Sequence, residues 1–258
     1  MTELVQFEKG WNFNESITNE ATLKPLCREA EKHFTLPLHR LYRYFANAED
    51  DYLLRTIGQY YRGFYTPFSW RRNLPSYLQD CFFLSMDEVY ASEKMLSLNE
   101  MTAFDSLVYI RHSTCLDVTG FVTTYAHELQ HFVQHGDTPK LWAVNSVLSE
   151  QLGKFEPTAT AIDVPGEQEA NIVSKRVAEV VCGVEAFRAF VEEQIRLMEE
   201  AGEARQKTRW IFLRDVPSST KYNLLEATIP LVEKYKKLID FEIDVNIPEW
   251  WVGPLDED

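Results

Sequence analysis

The chain has 258 residues, 45% hydrophobic and 13% aromatic, which is enough for a substantial core and rules out wholesale disorder. Its 26 basic and 40 acidic residues leave a net charge of −14, which argues against nucleic acid and against anionic membranes as partners. The opening Met1-Thr2-Glu3-Leu4-Val5-Gln6-Phe7-Glu8 is acidic and mixed, and no apolar run approaches ~18 residues. These features predict a cytoplasmic protein with no leader and no transmembrane helix. Cys27, Cys81, Cys115 and Cys182 lie far apart without a C-x-x-C, and read as reduced core residues.

Residues 1–20 are polar and predict irregular chain, with Trp11 and Phe13 as anchors onto the body. From about Thr22 to Tyr61 the pattern is helical in pieces, broken at Pro37, with Leu38 to Phe45 and Asp50 to Arg62 as separate helical segments. Gly63 to Pro75 holds Pro67 and Pro75 and reads as loop. Cys81-Phe82-Phe83-Leu84 is a candidate strand, and Ser85 to Met101 has helical spacing. Leu107-Val108-Tyr109-Ile110 is the best strand in the chain. If it formed a sheet edge, it could hold an extended peptide by backbone hydrogen bonds.

The stretch that follows carries the chemistry. His127-Glu128-Leu129-Gln130-His131 is an H-E-x-x-H pattern. On a helix, this spacing puts two imidazoles on one face, within reach of one Zn²⁺, and the glutamate beside the first is placed to take a proton from water. Phe121, Val122, Tyr125, Ala126, Leu129, Phe132 and Val133 recur at helical spacing, on a face centred away from the histidines. The core-facing stripe is therefore complete without them. Asp117 or Thr119 can cap the start, and Gly136 with Pro139 supplies the stop.

Beyond it, Leu141 to Leu152 predicts a helix and Gly153 to Gly166 a loop. Glu167 to Cys182 and Phe187 to Glu203 predict two more helices. Trp210-Ile211-Phe212-Leu213 reads as a strand or buried turn, and Tyr222 to Leu238 as a last helix interrupted at Pro230. The tail from Pro248 to Asp258 carries Trp250-Trp251, which fit a docking contact onto the body.

Two imidazoles hold zinc poorly alone, and a catalytic site needs a third protein ligand. Asp137 lies ten residues after His127, but Val133 stands where a glycine turn would be needed to bring it back. His135 sits on the same helix face, ~12 Å along the axis from His127 and too far to share one ion. A carboxylate on a separate helix is the remaining source, and Glu167-Gln168-Glu169-Ala170-Asn171 supplies it.

Together, the H-E-x-x-H helix with its terminal His135-Gly136 and the following Glu167-Gln168-Glu169-Ala170-Asn171 resemble the ImmA/IrrE-type metallopeptidases of the gluzincin group. The resemblance covers about residues 105–182. It implies an α+β, mostly α-helical fold with a zincin-like core and a small β-sheet beside the H-E-x-x-H helix. It also implies Zn²⁺ as cofactor, His127, His131 and Glu169 as ligands, Glu128 as general base, and a protein or peptide as substrate. The whole would form one domain, 1–258. A helical portion spans 1–100, the zincin core 101–183, and a second helical portion 184–258. The helix register points the same way: Val173, Val177, Val180 and Val181 predict the inward face of 167–182, which Glu169 approaches while Glu167 swings about 160° off toward solvent.

The reaction that follows is peptide hydrolysis by a zinc-activated water, with Glu128 accepting a proton and later delivering it to the leaving amine. Tyr222, His112 and His135 stand as candidate donors to the oxyanion. The alternative is a non-catalytic gluzincin-like interaction module whose zinc is structural or vestigial.

Overall fold

The computed structural model describes residues 11–13, 20–35, 41–45, 62–67, 106–156 and 158–236. The candidate strand at Cys81–Leu84, the helix expected from Ser85 to Met101, most of the segment from Asp50 to Arg62 and the Trp250-Trp251 tail lie outside them. The fold is α+β and mostly helical. The chain divides into two compact units, Met1–Phe132 and Val133–Asp258.

The first unit is built on a sheet. Strands β1 (Trp11–Phe13), β2 (Leu41–Phe45), β3 (Gly63–Pro67) and β4 (Ser106–Ile110) lie in the order β1-β2-β4-β3. β1, β2 and β4 run parallel, and β3 pairs antiparallel to β4. The expected strand at Leu107–Ile110 is thus present, but as an interior strand. The outermost of the described strands on that side is β3, in a segment expected to be loop. Pro67 is compatible with that position because it closes a strand at the margin of the sheet, where its missing N–H breaks no ladder.

β2 falls in a segment expected to be helical. Leu41, Arg43 and Phe45 are all buried, and i, i+2, i+4 is the spacing of one face of a strand. Arg43, 3% exposed, disguises the pattern because it occupies a core position. Its guanidinium donates to Glu31 Oε1 at 2.8 Å, to Tyr125 Oη at 2.7 Å and to the Leu41 carbonyl at 3.0 Å. Glu31 ends helix α1 (Glu20–Glu31). Burial works against the Arg43 charge, but Tyr125 and Glu31 outweigh it and hold the guanidinium above its ordinary range.

A short helix, α2 (His112–Cys115), leads from the sheet into α3 (Val118–Asp137). Asp117 starts α3 as expected, its carboxylate accepting the backbone N–H of Gly120. Phe121 and Tyr125 meet Phe45 with ring centroids 5.4 and 6.0 Å away, and Phe132 meets Tyr65 of β3 at 6.0 Å. Gly63 sits where β3 passes closest: a Cβ there would lie 2.7 Å from the Tyr109 carbonyl and 3.0 Å from Thr124 Cγ2. Only glycine lets that strand approach.

The second unit is helical. α4 (Pro139–Phe155) is followed by a 3₁₀ turn at Ala161–Asp163, closed by a reciprocal capping box between Thr160 and Asp163. Then come α5 (Pro165–Val181), α6 (Val184–Glu200), α7 (Ala204–Asp215) and α8 (Leu224–Lys234). α5 packs against α4, α6, α7 and α8 and so forms the centre of this unit. Gly183 between α5 and α6 has φ +93° and Gly202 between α6 and α7 has φ +72°, values that L side chains rarely adopt. The apolar run at 210–213 is helical: Trp210 and Leu213 are buried one turn apart, while Ile211 and Phe212 are half-exposed. Trp210 packs edge-on against Phe190 of α6 at 5.5 Å. α8 carries Pro230 without a break. Among the described residues, no helix is long and apolar enough to cross a membrane.

Candidate metal centre

α3 brings the histidines together. The Nε2 atoms of His127 and His131 lie 3.2 Å apart, with rings nearly perpendicular at 89°. This is the convergence that i, i+4 spacing predicts. Their setting differs from a solvated face. Every residue from Phe121 to Gln130 is buried, with His127 4% and Glu128 6% exposed. Burying an imidazole and a carboxylate costs free energy that their partners must offset.

Contacts within the second unit fix the approach of α5. The last turns of α3 belong to the same unbroken helix as the histidines, and Gln134 follows His131 by three residues. Its Nε2 donates to the Gly166 carbonyl and to Glu169 Oε2, each at 2.9 Å. The Gly166 N–H donates to Asn145 Oδ1 of α4 at 2.8 Å, and Asn145 Nδ2 in turn reaches Thr228 Oγ1 of α8 at 3.1 Å. A Cβ on Gly166 would sit 3.0 Å from the Asn145 Cβ, so glycine is needed for this close approach. The first turn of α5 is held from both sides.

His127, His131 and Glu167 each place a ligand atom within 4.8 Å of the others, a group that can hold a metal ion. The carboxylate in this group is Glu167, which the sequence reading set toward solvent. Glu169, the expected third ligand, accepts the hydrogen bond from Gln134. The physical reason lies in the register of α5. Its buried side is centred on Ala170, Asn171, Ser174, Lys175, Val177 and Ala178, with Ile172 buried on one flank, while Val180 is 65% exposed. At about 100° per residue, Glu167 falls at the centre of that stripe and Glu169 about 160° away. Of the four valines expected to face inward only Val177 is buried, and small and polar residues occupy most of that side.

The donors fit a metal. Two imidazoles and one carboxylate are donors that a divalent transition-metal ion accepts. Two neighbouring Nε2 atoms can share only one proton in a hydrogen bond, whereas a cation accepts lone pairs from both and from the carboxylate.

The three candidate oxyanion donors part company. Tyr222 Oη donates to Gln168 Oε1 at 2.7 Å, between the two glutamates in sequence. Its pKa is pushed up to about 12, first by burial and then by the Glu169 carboxylate, so it is a proton donor at neutral pH. His135 packs edge-on against Trp142 of α4 at 4.9 Å, and His112 opens α2. Sequence reasoning did not find Asn145, Gln134 or Arg209. The Arg209 Nε donates to Asn171 Oδ1 at 2.8 Å, and Asn171 Nδ2 donates to the Glu167 carbonyl at 2.7 Å. An Asn four residues after a candidate ligand was the available signal.

No family model, no curated protein and no solved structure matches the chain.

Proposed function

We propose that the protein is a zinc-dependent metallopeptidase in which His127, His131 and Glu167 hold the ion and Glu128 is the general base. The observation that carries this reading is the convergence of His127, His131 and Glu167 beside a carboxylate that is itself buried. A site that only held a metal for stability would have no need of a carboxylate beside its first histidine, where Glu128 stands. The resemblance of the two motifs to ImmA/IrrE-type metallopeptidases supports the same reaction class.

Zinc, when bound, supplies Lewis acidity toward a carbonyl and a lowered pKa for water. The chain's own residues do the rest. Glu128 takes a proton from the attacking water and returns it to the leaving amine. Burial of the helix around Glu128 excludes bulk water, which strengthens the electrostatic contribution of each nearby group. β3, hydrogen-bonded to β4 on one side, is an edge among the described strands, and an extended peptide would pair with its other side.

The test is metal analysis of the purified protein together with cleavage of a peptide library by wild type and Glu128→Gln. The amide is nearly isosteric with the acid and cannot accept the proton. The expected result is one equivalent of zinc in both proteins and cleavage by wild type alone. One equivalent of zinc with no cleavage by wild type would favour the non-catalytic interaction module. Undiminished turnover by the variant would remove Glu128 from the mechanism.

A further inference from the structure

The metal reading leaves Arg209 without a task, although it reaches from α7 into the first turns of α5. Asn171 is 1% exposed and stands between two groups. On one side its Oδ1 accepts from Arg209 Nε at 2.8 Å; on the other its Nδ2 donates to the Glu167 carbonyl at 2.7 Å. The two bonds fix both the side-chain amide of Asn171 and its orientation, since the oxygen faces the cation and the nitrogen the carbonyl. Arg209 is itself braced, its guanidinium 5.3 Å from the Trp210 ring centroid.

We infer that Arg209 and Asn171 form a relay that positions Glu167 as a metal ligand. The inference rests on the metal reading above. Glu167 is in the first turn of α5, whose opening N–H groups have no partner within the helix and need ties from outside it, as Gly166 has in Asn145. A ligand there keeps its position only as well as such ties hold the turn. The Asn171 amide, held by Arg209, ties the Glu167 backbone to the body of the helix and to α7. Partners of this kind, one shell out from a metal, commonly change its affinity by about 10–100-fold.

A second bond between the same two helices provides the control. Lys175, one turn beyond Asn171 and two beyond Glu167 on α5, donates to the Leu213 carbonyl at the end of α7 at 2.7 Å. It joins α5 to α7 as Arg209 does, but away from Glu167. A role confined to stability would make the two contacts equivalent.

The experiment measures zinc affinity by competition with a chromophoric chelator, alongside melting temperature without metal, for the full chain and for Arg209→Gln, Arg209→Lys, Asn171→Ala and Lys175→Gln. The relay predicts that Arg209→Gln and Asn171→Ala weaken zinc binding about tenfold or more. Arg209→Lys, which keeps the charge and a donor, should recover part of the loss. Lys175→Gln should lower the melting temperature while leaving zinc affinity within about twofold of wild type. Should Arg209→Gln fail to fold, Asn171→Ala reads the same relay from its other end. Equal zinc affinity in wild type, Arg209→Gln and Asn171→Ala would overturn the relay, as would equal weakening by Lys175→Gln. Absence of zinc binding by the wild type would instead overturn the metal reading itself.

Discussion

Helices α3 and α5 are held in place by different physics. α3 is fixed by volume: Phe121 and Tyr125 stack with ring centroids 5.8 Å apart and press on Phe45 of β2. α5 is fixed by directed bonds. Its buried side is mostly small, Ala170, Ser174 and Ala178, and its anchors are polar: Gly166 to Asn145, Asn171 to Arg209, and Lys175 to Leu213. Volume-fixed helices lose stability when a ring is removed. Bond-fixed helices lose orientation when a single donor is changed. The proposed centre draws its histidines from the first kind and its carboxylate from the second.

The sharpest way to test that contrast is at the carboxylate. Glu167→Ala should abolish stable zinc binding, read as metal retained after dialysis. Glu169→Ala should leave one equivalent bound, because Glu169 serves Gln134. The reverse outcome would put Glu169 in the ligand set and the α5 register argued above would be wrong.

The next largest effect is on stability. Phe121→Ala removes a fully buried ring and should cost about 3–5 kcal/mol in urea unfolding. Gly166→Ala, which forces a Cβ against Asn145, should cost about 1–3 kcal/mol. The two helices would cease to be distinct in kind if the small change in α5 proved as costly as the ring deletion in α3.

The smallest effect is alkaline. Tyr222 has a folded pKa of about 12, above the ordinary phenol value near 10. Between those values the unfolded chain has released the proton and the folded chain has kept it, so stability falls as pH rises through that window. Tyr222→Phe should flatten the decline in melting temperature between about pH 10 and 12. An unchanged slope would mean that Tyr222 does not titrate differently in the two states.

Legibility in the sequence followed the same division. β4, α3 and its Asp117 cap were readable because bulky apolar residues recur at one period and bury where they recur. β2 was not, since Arg43 at its centre breaks an alternation that Glu31 and Tyr125 repair only in three dimensions. β3 was not, because Gly63 and Pro67 are loop signals whose actual causes are a close approach and an outer position. At 210–213 a four-residue apolar run cannot distinguish strand from helix. In α5 the valines gave the strongest periodic signal, yet hydrogen-bonding partners far along the chain decided which side faced inward. His127, Glu128 and His131 were legible as a motif, and Glu167 became identifiable once that side was known.

Arg43 has one more consequence, for how the first unit breathes. Its charge lies on the inward face of β2, an interior strand, and its carboxylate partner is the last residue of α1. If α1 lifted away alone, the guanidinium would keep the Tyr125 phenol and the Leu41 carbonyl but lose its carboxylate, at a cost of several kcal/mol. Small excursions of α1 are therefore suppressed, and α1 opens together with the sheet as one cooperative block. A buried ion pair of little net worth to overall stability thereby sets the size of the smallest piece that can come loose.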